Sequence, residues 1–170
     1  QAFGRLDALV NNAGVATFKP IGDTHFDEWR WVMATNLDGP FLMVQACAPL
    51  MLACGGGAVV NIASISGLRA STLRVAYGTS KAALIHLAEA LYLDLSPAGI
   101  GVSLVNPGFV ETPLTARNEF HMPALISPEK AAREIVRGWE AGLFEIHFPR
   151  RFTRWLKFLR LLPYRAYFWS

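Results

Sequence analysis

The chain has 170 residues, enough for one domain with a sizeable core. Apolar residues make up 52% of the sequence and charged residues 17%. This composition excludes disorder and favours a sheet buried on both faces. The net charge of +3 is unevenly distributed, because six basic and no acidic residues occur from Arg150 onward, whereas the first 149 residues carry ten basic and thirteen acidic residues. The mildly acidic body gives no reason to expect nucleic-acid binding.

Several other kinds of site are not expected. Cys47 and Cys54 fall within one apolar run, which indicates two core thiols in a reducing compartment rather than a disulfide framework. The histidines are scattered without the spacing of metal ligands, so we predict no metal site. Gln1 is not followed by a basic segment and an apolar segment, so we expect no secretory signal peptide and a cytoplasmic location.

The first predicted element is a strand over residues 6–11, which ends in the turn Asn-Asn-Ala-Gly at residues 11–14. Thr24 and Asp27 form a near capping box at the start of a helix. We expect this helix to break at the Gly-Pro pair 39–40, close to Asn36, and to continue as an apolar run.

Residues 39–68 contain no charged side chain, which raises the question of a membrane-spanning helix. Prolines and a Gly-Gly-Gly turn at residues 55–57 interrupt this stretch, so we predict instead a helix, a turn and a strand over residues 58–62. The glycine turn is not a phosphate loop, because a strand follows it rather than a helix. Ser64 and Ser66 come directly after that strand.

A long helix is predicted over residues 75–95, since apolar residues recur at helical spacing and no proline interrupts them. Tyr77 and Lys81 are four residues apart and therefore lie on one face of it. A nearby ammonium group favours a phenolate and lowers its pKa, which suits such a pair to proton transfer. Alone, however, a tyrosine and a lysine at this spacing are more often an ordinary surface pair.

The next strand is predicted over residues 101–106, and the turn Pro107-Gly108 follows it. Ligands of parallel sheets bind outside the carboxyl ends of the strands, so this turn is a candidate part of a binding site. Residues 113–126 lack clear periodicity, and their place after the turn makes them the predicted substrate lid.

A further helix starts with Ser127 as its N-cap and runs to about residue 141, and a last strand covers residues 143–148. Strands and helices thus alternate along the chain, which predicts an α/β fold with a doubly wound parallel sheet. We assign residues 1–148 to this domain and residues 149–170 to a basic, aromatic tail.

The tail is predicted to contain a basic amphipathic helix over residues 151–162, which Pro163 ends. One-signed charge and interfacial aromatic residues are typical of a helix that lies on an anionic membrane surface. The alternative is that its apolar face closes the substrate pocket or packs on a second subunit.

Five motifs occur in a characteristic order and spacing: Asn-Asn-Ala-Gly at 11–14, Asn36 before Gly39-Pro40, Ser64, Tyr77-x-x-x-Lys81, and Asn-Pro-Gly at 106–108. With them the chain closely resembles the short-chain dehydrogenase/reductase family over residues 1–148. The resemblance implies a Rossmann-like sheet, of which this chain would hold the C-terminal portion, strands four to seven.

By the same resemblance, Tyr77 is the general acid and base, and Lys81 lowers its pKa and holds the ribose hydroxyls of NAD or NADP. Ser64 orients the substrate oxygen and Asn36 supports a proton relay. The implied cofactor-binding set is larger: Asn11, Ala13, Gly14, Tyr77, Lys81, Pro107, Gly108, Val110 and Thr112.

The implied function is the NAD(P)-dependent interconversion of a secondary alcohol and a ketone on a small, apolar substrate. The family assembles as homodimers or homotetramers through the helices that hold Asn36 and Tyr77, so we expect the same here.

No glycine-rich turn follows a strand, although a dinucleotide-binding fold needs one for the pyrophosphate. We therefore expect the sequence to start within a longer protein and this stretch alone to be inactive. Two alternatives stay open: an epimerase or dehydratase that keeps its cofactor, and a non-catalytic interaction or membrane-surface module on a truncated fold.

Overall fold

The computed structural model describes residues 4–113, 115–117, 122 and 124–169. Within them, four strands form one sheet in the order β1-β2-β3-β4, and every neighbouring pair is parallel. The strands are β1 (Ala8–Asn11), β2 (Gly57–Ile62), β3 (Ile100–Pro107) and β4 (Glu145–Phe148).

Seven α-helices connect and follow these strands in the described part of the chain. They are α1 (Phe26–Met33), α2 (Gly39–Ala53), α3 (Ile65–Leu68), α4 (Val75–Leu95), α5 (Pro128–Glu140), α6 (Arg150–Arg160) and α7 (Tyr164–Tyr167). A wider π-helical turn, Ala34–Asp38, joins α1 to α2. None of the described helices is long and apolar enough to cross a membrane.

Helices cover both faces of the sheet. On one face, α2 and α4 pack on β2 and β3, with a buried core of Val44, Cys47, Met51, Val59, Ile100 and Val102. On the other face, α5 packs on β3 and β4, with a second core of Val60, Val105, Ile126, Ala131, Ile146 and Phe148. The predicted α/β fold with a doubly wound parallel sheet is therefore confirmed.

The register brings the carboxyl ends of the strands to one edge. Asn11 at the end of β1 is level with Asn61, and Pro107 at the end of β3 is level with Phe148. In a parallel sheet this edge is where a ligand site forms, because the loops that leave the strands converge there.

The predicted helix break at Gly39 is wrong in its detail. Gly39 has helical backbone angles, φ −54° and ψ −58°, and the irregularity lies just before it in the π-helical turn. Pro40 has no N–H, and in a regular α-helix its ring would crowd the carbonyl of Asn36, four residues earlier. The wider turn relieves that crowding, so the helix is widened rather than interrupted.

The predicted capping box at Thr24 is also wrong, by one residue. The N-cap of α1 is His25, and the carboxylate of Glu28 accepts a hydrogen bond of 3.1 Å from its backbone N–H. Thr24 instead donates its hydroxyl to the Pro20 carbonyl, at 2.9 Å. A threonine hydroxyl can bond within its own turn, and that local bond competes with capping.

The tail packs on the body through polar contacts with β4. Thr153, fully buried, bonds His147 at 2.6 Å between Oγ1 and Nδ1, and Lys157 forms an ion pair with Glu145. These contacts orient α6 so that the face with Thr153 points inward. Trp155, which the helical projection groups with the apolar residues of the tail, is 57% exposed.

A second contact holds the end of the tail. The hydroxyl of Tyr167 in α7 accepts a 2.9 Å hydrogen bond from the backbone N–H of Ala70, just after α3. The guanidinium groups of Arg69 and Arg160 lie 5.3 Å and 5.8 Å from the centroid of the Tyr167 ring. The tail is thus attached at both β4 and the segment after α3.

Candidate active site

Tyr77 and Lys81 lie one turn apart on the inner face of α4, and both side chains are buried. Lys81 Nζ donates a 2.7 Å hydrogen bond to the carbonyl of Ile62 at the end of β2. It also lies 5.9 Å from the centroid of the Tyr77 ring. The helix and the strand end together therefore fix the ammonium group beside the phenol.

Burial alone lowers the pKa of Lys81 to about 8, because a charged ammonium loses its hydration in this position. Near neutral pH the side chain is still mostly protonated. The site therefore holds a cation that is short of solvent and would gain from further polar contacts.

Burial raises the pKa of the Tyr77 phenol, while a hydrogen bond with Ser64 and the charge of Arg74 act in the opposite direction. We expected Lys81 to lower this pKa. In the structure the ammonium is directed to the Ile62 carbonyl, and the cation that favours the phenolate is Arg74. The phenol therefore stays protonated at neutral pH.

Ser64 is the N-cap of the short helix α3, and its hydroxyl accepts a 3.1 Å hydrogen bond from the backbone N–H of Ser66. That bond fixes the side-chain oxygen near the Tyr77 phenol. The close packing of α3 on α4 supports this position, because a Cβ on Gly67 would lie 2.7 Å from the carbonyl carbon of Lys81. Only a glycine permits the two backbones to approach so closely.

Asn36 is fully buried in the π-helical turn, and its side-chain amide bonds three groups. Its Oδ1 accepts from the N–H of Val15, and its Nδ2 donates to the carbonyl of Val15 and to Ser80 Oγ, each at 2.9 Å. The amide thus connects the loop after β1 to helix α4.

Ser80 is a site residue that the sequence analysis missed. It is fully buried, it accepts from Asn36, and its hydroxyl donates to the carbonyl of Tyr77 at 2.8 Å. The available signal was a serine one turn after Tyr77 on the same helix face, although serine is common enough in helices that this signal is weak.

The Asn-Asn-Ala-Gly turn lies next to Lys81. Asn11 is buried and donates to Asn61 Oδ1 at 2.9 Å, whereas Ala13 and Gly14 are exposed. A Cβ on Gly14 would lie 3.6 Å from Lys81 Nζ. Gly14 therefore lies in van der Waals range of the buried ammonium group.

The segment after β3 is held by backbone and hydroxyl contacts. Gly108 donates its N–H to the Phe148 carbonyl at 2.7 Å, so the Pro107-Gly108 turn follows the end of β4 closely. Thr115 Oγ1 donates to the Val110 carbonyl at 2.6 Å and accepts the N–H of Thr112 at 2.9 Å. Val110 and Thr112 are thus arranged around Thr115, a residue that the sequence analysis did not single out.

These segments line a small, partly open cavity of about 60 Å³ at the carboxyl edge of the sheet. Its lining includes Ser64, Tyr77 and Gly108 from the predicted set, together with Phe18, Ile65, Ser66, Arg74, Phe109 and Thr115. Asn36 and Lys81 are not among the lining residues. The predicted lid residues Leu114 and Phe120 lie outside the described residues, and among the described residues no His, Cys, Asp or Glu cluster could hold a metal ion.

Comparisons with known proteins identify the family of the chain. The family described as short chain dehydrogenase matches residues 1–122. The trans-4-hydroxycyclohexanecarboxylate dehydrogenase of Sinomonas cyclohexanicum is 43% identical over 116 residues, which are 68% of this chain and 44% of that protein. The chain thus spans less than half the length of this curated relative.

Solved structures give the same result. A short-chain dehydrogenase/reductase from Burkholderia phymatum in complex with NAD has a TM-score of 0.83 at 27% identity, over 92% of this chain and 66% of that chain. A short-chain dehydrogenase from Sphingobium yanoikuyae in complex with NADPH has a TM-score of 0.78 at 26% identity, over 85% of this chain and 57% of that chain.

The lowered pKa of Lys81 predicts a specific dependence of stability on pH. Between the folded value of about 8 and the ordinary value of 10.5, the unfolded chain binds more protons, so the free energy of unfolding rises with pH. Relative to Lys81→Met, the native protein should gain up to about 3 kcal/mol over this window. Urea denaturation at a series of pH values measures the difference, and Lys130→Met, which removes an exposed lysine, is the control. A difference that does not change with pH would show that burial does not perturb Lys81.

Proposed function

The chain belongs to the short-chain dehydrogenase/reductase family, and on that premise we propose that the whole protein is an NAD- or NADP-dependent oxidoreductase that interconverts a secondary alcohol and a ketone. The observation that carries the proposal is the buried phenol of Tyr77, which lines the cavity with Ser64 as its hydrogen-bond partner and has Lys81 one turn away. A phenol in this setting can exchange a proton with a substrate oxygen.

The residues near Lys81 fit a nicotinamide cofactor. A lysine ammonium has three N–H groups, and among the described residues its one hydrogen bond goes to Ile62, which leaves donors for ribose hydroxyls. The exposed turn at Ala13 and Gly14 gives access to them, and Asn11 fixes that turn to β2. When bound, the cofactor would supply or accept the hydride.

Further cofactor contacts are proposed at the end of β3. Pro107 and Gly108 would shape the nicotinamide side of the site, because they leave the sheet edge beside the cavity. Val110 and Thr112 would bond the carboxamide. Since Thr115 bonds the carbonyl of Val110 and the N–H of Thr112, we propose that it holds the backbone in the required position.

In ketone reduction, Tyr77 would donate its proton to the substrate oxygen while Ser64 polarises the same oxygen. The raised pKa of the Tyr77 phenol favours this protonated starting state. In alcohol oxidation the phenolate must form, and the charges of Arg74 and Lys81 would stabilise it. The two cations would then matter most in the oxidation direction.

Asn36 would act mainly by position, because its amide holds both the Val15 backbone and Ser80. We also propose that its backbone carbonyl supports a proton relay to Lys81. Pro40, four residues later, has no N–H to donate to that carbonyl in the regular helical manner. The carbonyl is thereby a candidate acceptor for a water molecule.

The walls of the cavity favour a small substrate with an apolar skeleton. Phe18, Ile65 and Phe109 provide apolar surface, and the hydroxyls of Ser64 and Tyr77 provide the polar contacts. A compact secondary alcohol or ketone matches this lining.

A homodimer or homotetramer is proposed from the outer faces of α2 and α4, which expose large apolar side chains: Phe41, Leu42, Met43, Leu50, Leu52, Val75, Tyr92 and Leu93. Both helices already pack on the sheet with their inner faces, so their outer faces are candidates for a subunit interface. A second copy of the chain is the occupant that the family resemblance predicts.

The outer face of the tail supports a proposal of peripheral membrane contact. Trp155 and Phe158 on α6 and Leu161 at its C-cap are 57%, 54% and 81% exposed, and the rings of Trp155 and Phe158 stack with centroids 5.7 Å apart. Arg151 and Arg154 are exposed on the same side of the helix. Because the tail carries no acidic residue, we propose an anionic lipid surface at the cytoplasmic side as its partner.

Tyr77→Phe should lower kcat by about 100-fold or more, because it removes the proton that the site transfers. The measurement is steady-state oxidation of a panel of secondary alcohols by the whole protein with NAD or NADP, with circular dichroism to check the fold. Tyr92→Phe, at a partly exposed position on the same helix, is the matched control. Retention of more than about a tenth of kcat by Tyr77→Phe would remove the phenol from the mechanism.

Sedimentation velocity of the whole protein should show a dimer or tetramer. Leu50→Glu on α2 should dissociate it, because it places a charge in the proposed apolar interface. Val136→Glu, similarly exposed on α5 across the sheet, should not. A monomeric native protein, or an assembly unchanged by Leu50→Glu, would contradict this interface.

Co-sedimentation with vesicles tests the tail. The whole protein should pellet with phosphatidylserine-containing vesicles at low salt, release as salt is raised, and stay in the supernatant with neutral vesicles. The double variant Trp155→Ser, Phe158→Ser should lose binding, whereas Trp31→Ser, at an exposed position on α1, should retain it. Binding that survives the double variant would show that this face does not contact lipid.

A further inference from the structure

Arg74 is a cation in the wall of the cavity that holds Tyr77 and Ser64. It is the N-cap of α4, three residues before Tyr77, and it is partly buried. Burial lowers the pKa of its guanidinium, which shows that the charge has lost part of its hydration, while the neighbouring Tyr77 acts in the opposite direction. The cavity thus combines a proton-transfer group and a partly desolvated positive charge.

An aromatic contact fixes the position of this charge. The guanidinium carbon lies 4.4 Å from the centroid of the Phe18 ring, a distance typical of a cation–π contact. Phe18 in turn packs edge-on to Tyr77, with centroids 6.4 Å apart. The two rings therefore hold Arg74 at a set distance from the phenol, and such preorganisation reduces the entropy lost on binding a ligand.

We propose that Arg74 binds an anionic group of the substrate, so that the protein acts on compact hydroxy- or oxo-carboxylates. The proposal rests on the proposed oxidoreductase function and adds the substrate class to it. A planar guanidinium with two parallel N–H groups matches a carboxylate in geometry and charge. Compared with the apolar substrate that we expected, this substrate class keeps the apolar skeleton and adds a charged end.

The cavity determines how far apart the carboxylate and the carbinol of a substrate can be. Arg74 and Tyr77 line the same cavity of about 60 Å³, so one compact molecule can place a carboxylate at the first residue and a carbinol at the second. The relative from Sinomonas cyclohexanicum is named for a substrate of this kind, a ring with a hydroxyl and a carboxylate. In oxidation, the carbinol hydride would pass to the oxidised cofactor, NAD⁺ or NADP⁺, and the hydroxyl proton to the phenolate form of Tyr77, while the carboxylate remains unchanged.

A competing role for Arg74 is to act on the phenol alone, since its charge favours the phenolate. Loss of that role would lower kcat/KM for charged and neutral substrates equally, because the proton transfer is the same for both. A carboxylate-binding role would affect only the charged substrate. A matched pair of substrates therefore separates the two.

The experiment compares trans-4-hydroxycyclohexanecarboxylate with its methyl ester, using the whole protein with NAD or NADP. Arg74→Met should lower kcat/KM for the carboxylate by about tenfold to a hundredfold more than for the ester, with the additional loss mostly in KM, because the loss of phenolate stabilisation lowers both values alike. Arg133→Met, which removes an exposed arginine of α5, should change neither. Equal losses for the acid and the ester, or a native preference for the ester, would overturn the proposal.

A binding measurement separates this proposal from the proposed function. Calorimetry with cyclohexanecarboxylate, which has no hydroxyl to oxidise, should show binding to the native protein with its cofactor and a loss of at least about tenfold in Arg74→Met. This result would support Arg74 as an anion-binding residue even if no alcohol is oxidised. Absence of binding to the native protein, or equal binding to Arg74→Met, would overturn it.

Discussion

A buried side-chain amide is most stable when both its oxygen and its nitrogen have hydrogen-bond partners, because each group left without one costs about 1–3 kcal/mol. Asn36 meets this requirement with partners from two different elements, the backbone of Val15 and the hydroxyl of Ser80. The loop after β1 and helix α4 are thereby held at one separation. That separation sets the relative positions of three groups that lie on either side of the amide: Gly14, the Tyr77 carbonyl and Lys81.

The electrostatics of the cavity come from opposing effects. Burial disfavours charge on both Tyr77 and Lys81, raising the pKa of the first and lowering that of the second. Arg74 acts against burial at the phenol. The site in this state is therefore close to neutral at Tyr77 and positive around it, a distribution that suits an incoming anion and a developing oxyanion.

Much of this arrangement could be predicted from the sequence. The limits of α4 and the Ser127 cap of α5 follow from local patterns and agree with the structure. The orientation of α6 could not be predicted, because it depends on contacts with Glu145 and His147 of β4. The periodicity of a strand sequence does not show which side chains of other elements contact it. Arg74 was missed for a similar reason, since its significance comes from Phe18, 56 positions earlier in the chain.

The attachment of the tail has a thermodynamic consequence. Phe109, in the wall of the cavity, packs against Phe152 of α6 with ring centroids 6.0 Å apart, and Tyr167 bonds the backbone just after α3, which Ser64 caps. Helix α6 therefore has an outer surface exposed to the surroundings and an inner surface in contact with the wall of the cavity. If a ligand on the outer surface shifts α6 and thereby changes the affinity of the cavity for its own ligand, binding in the cavity must change the affinity of the outer surface by the same factor.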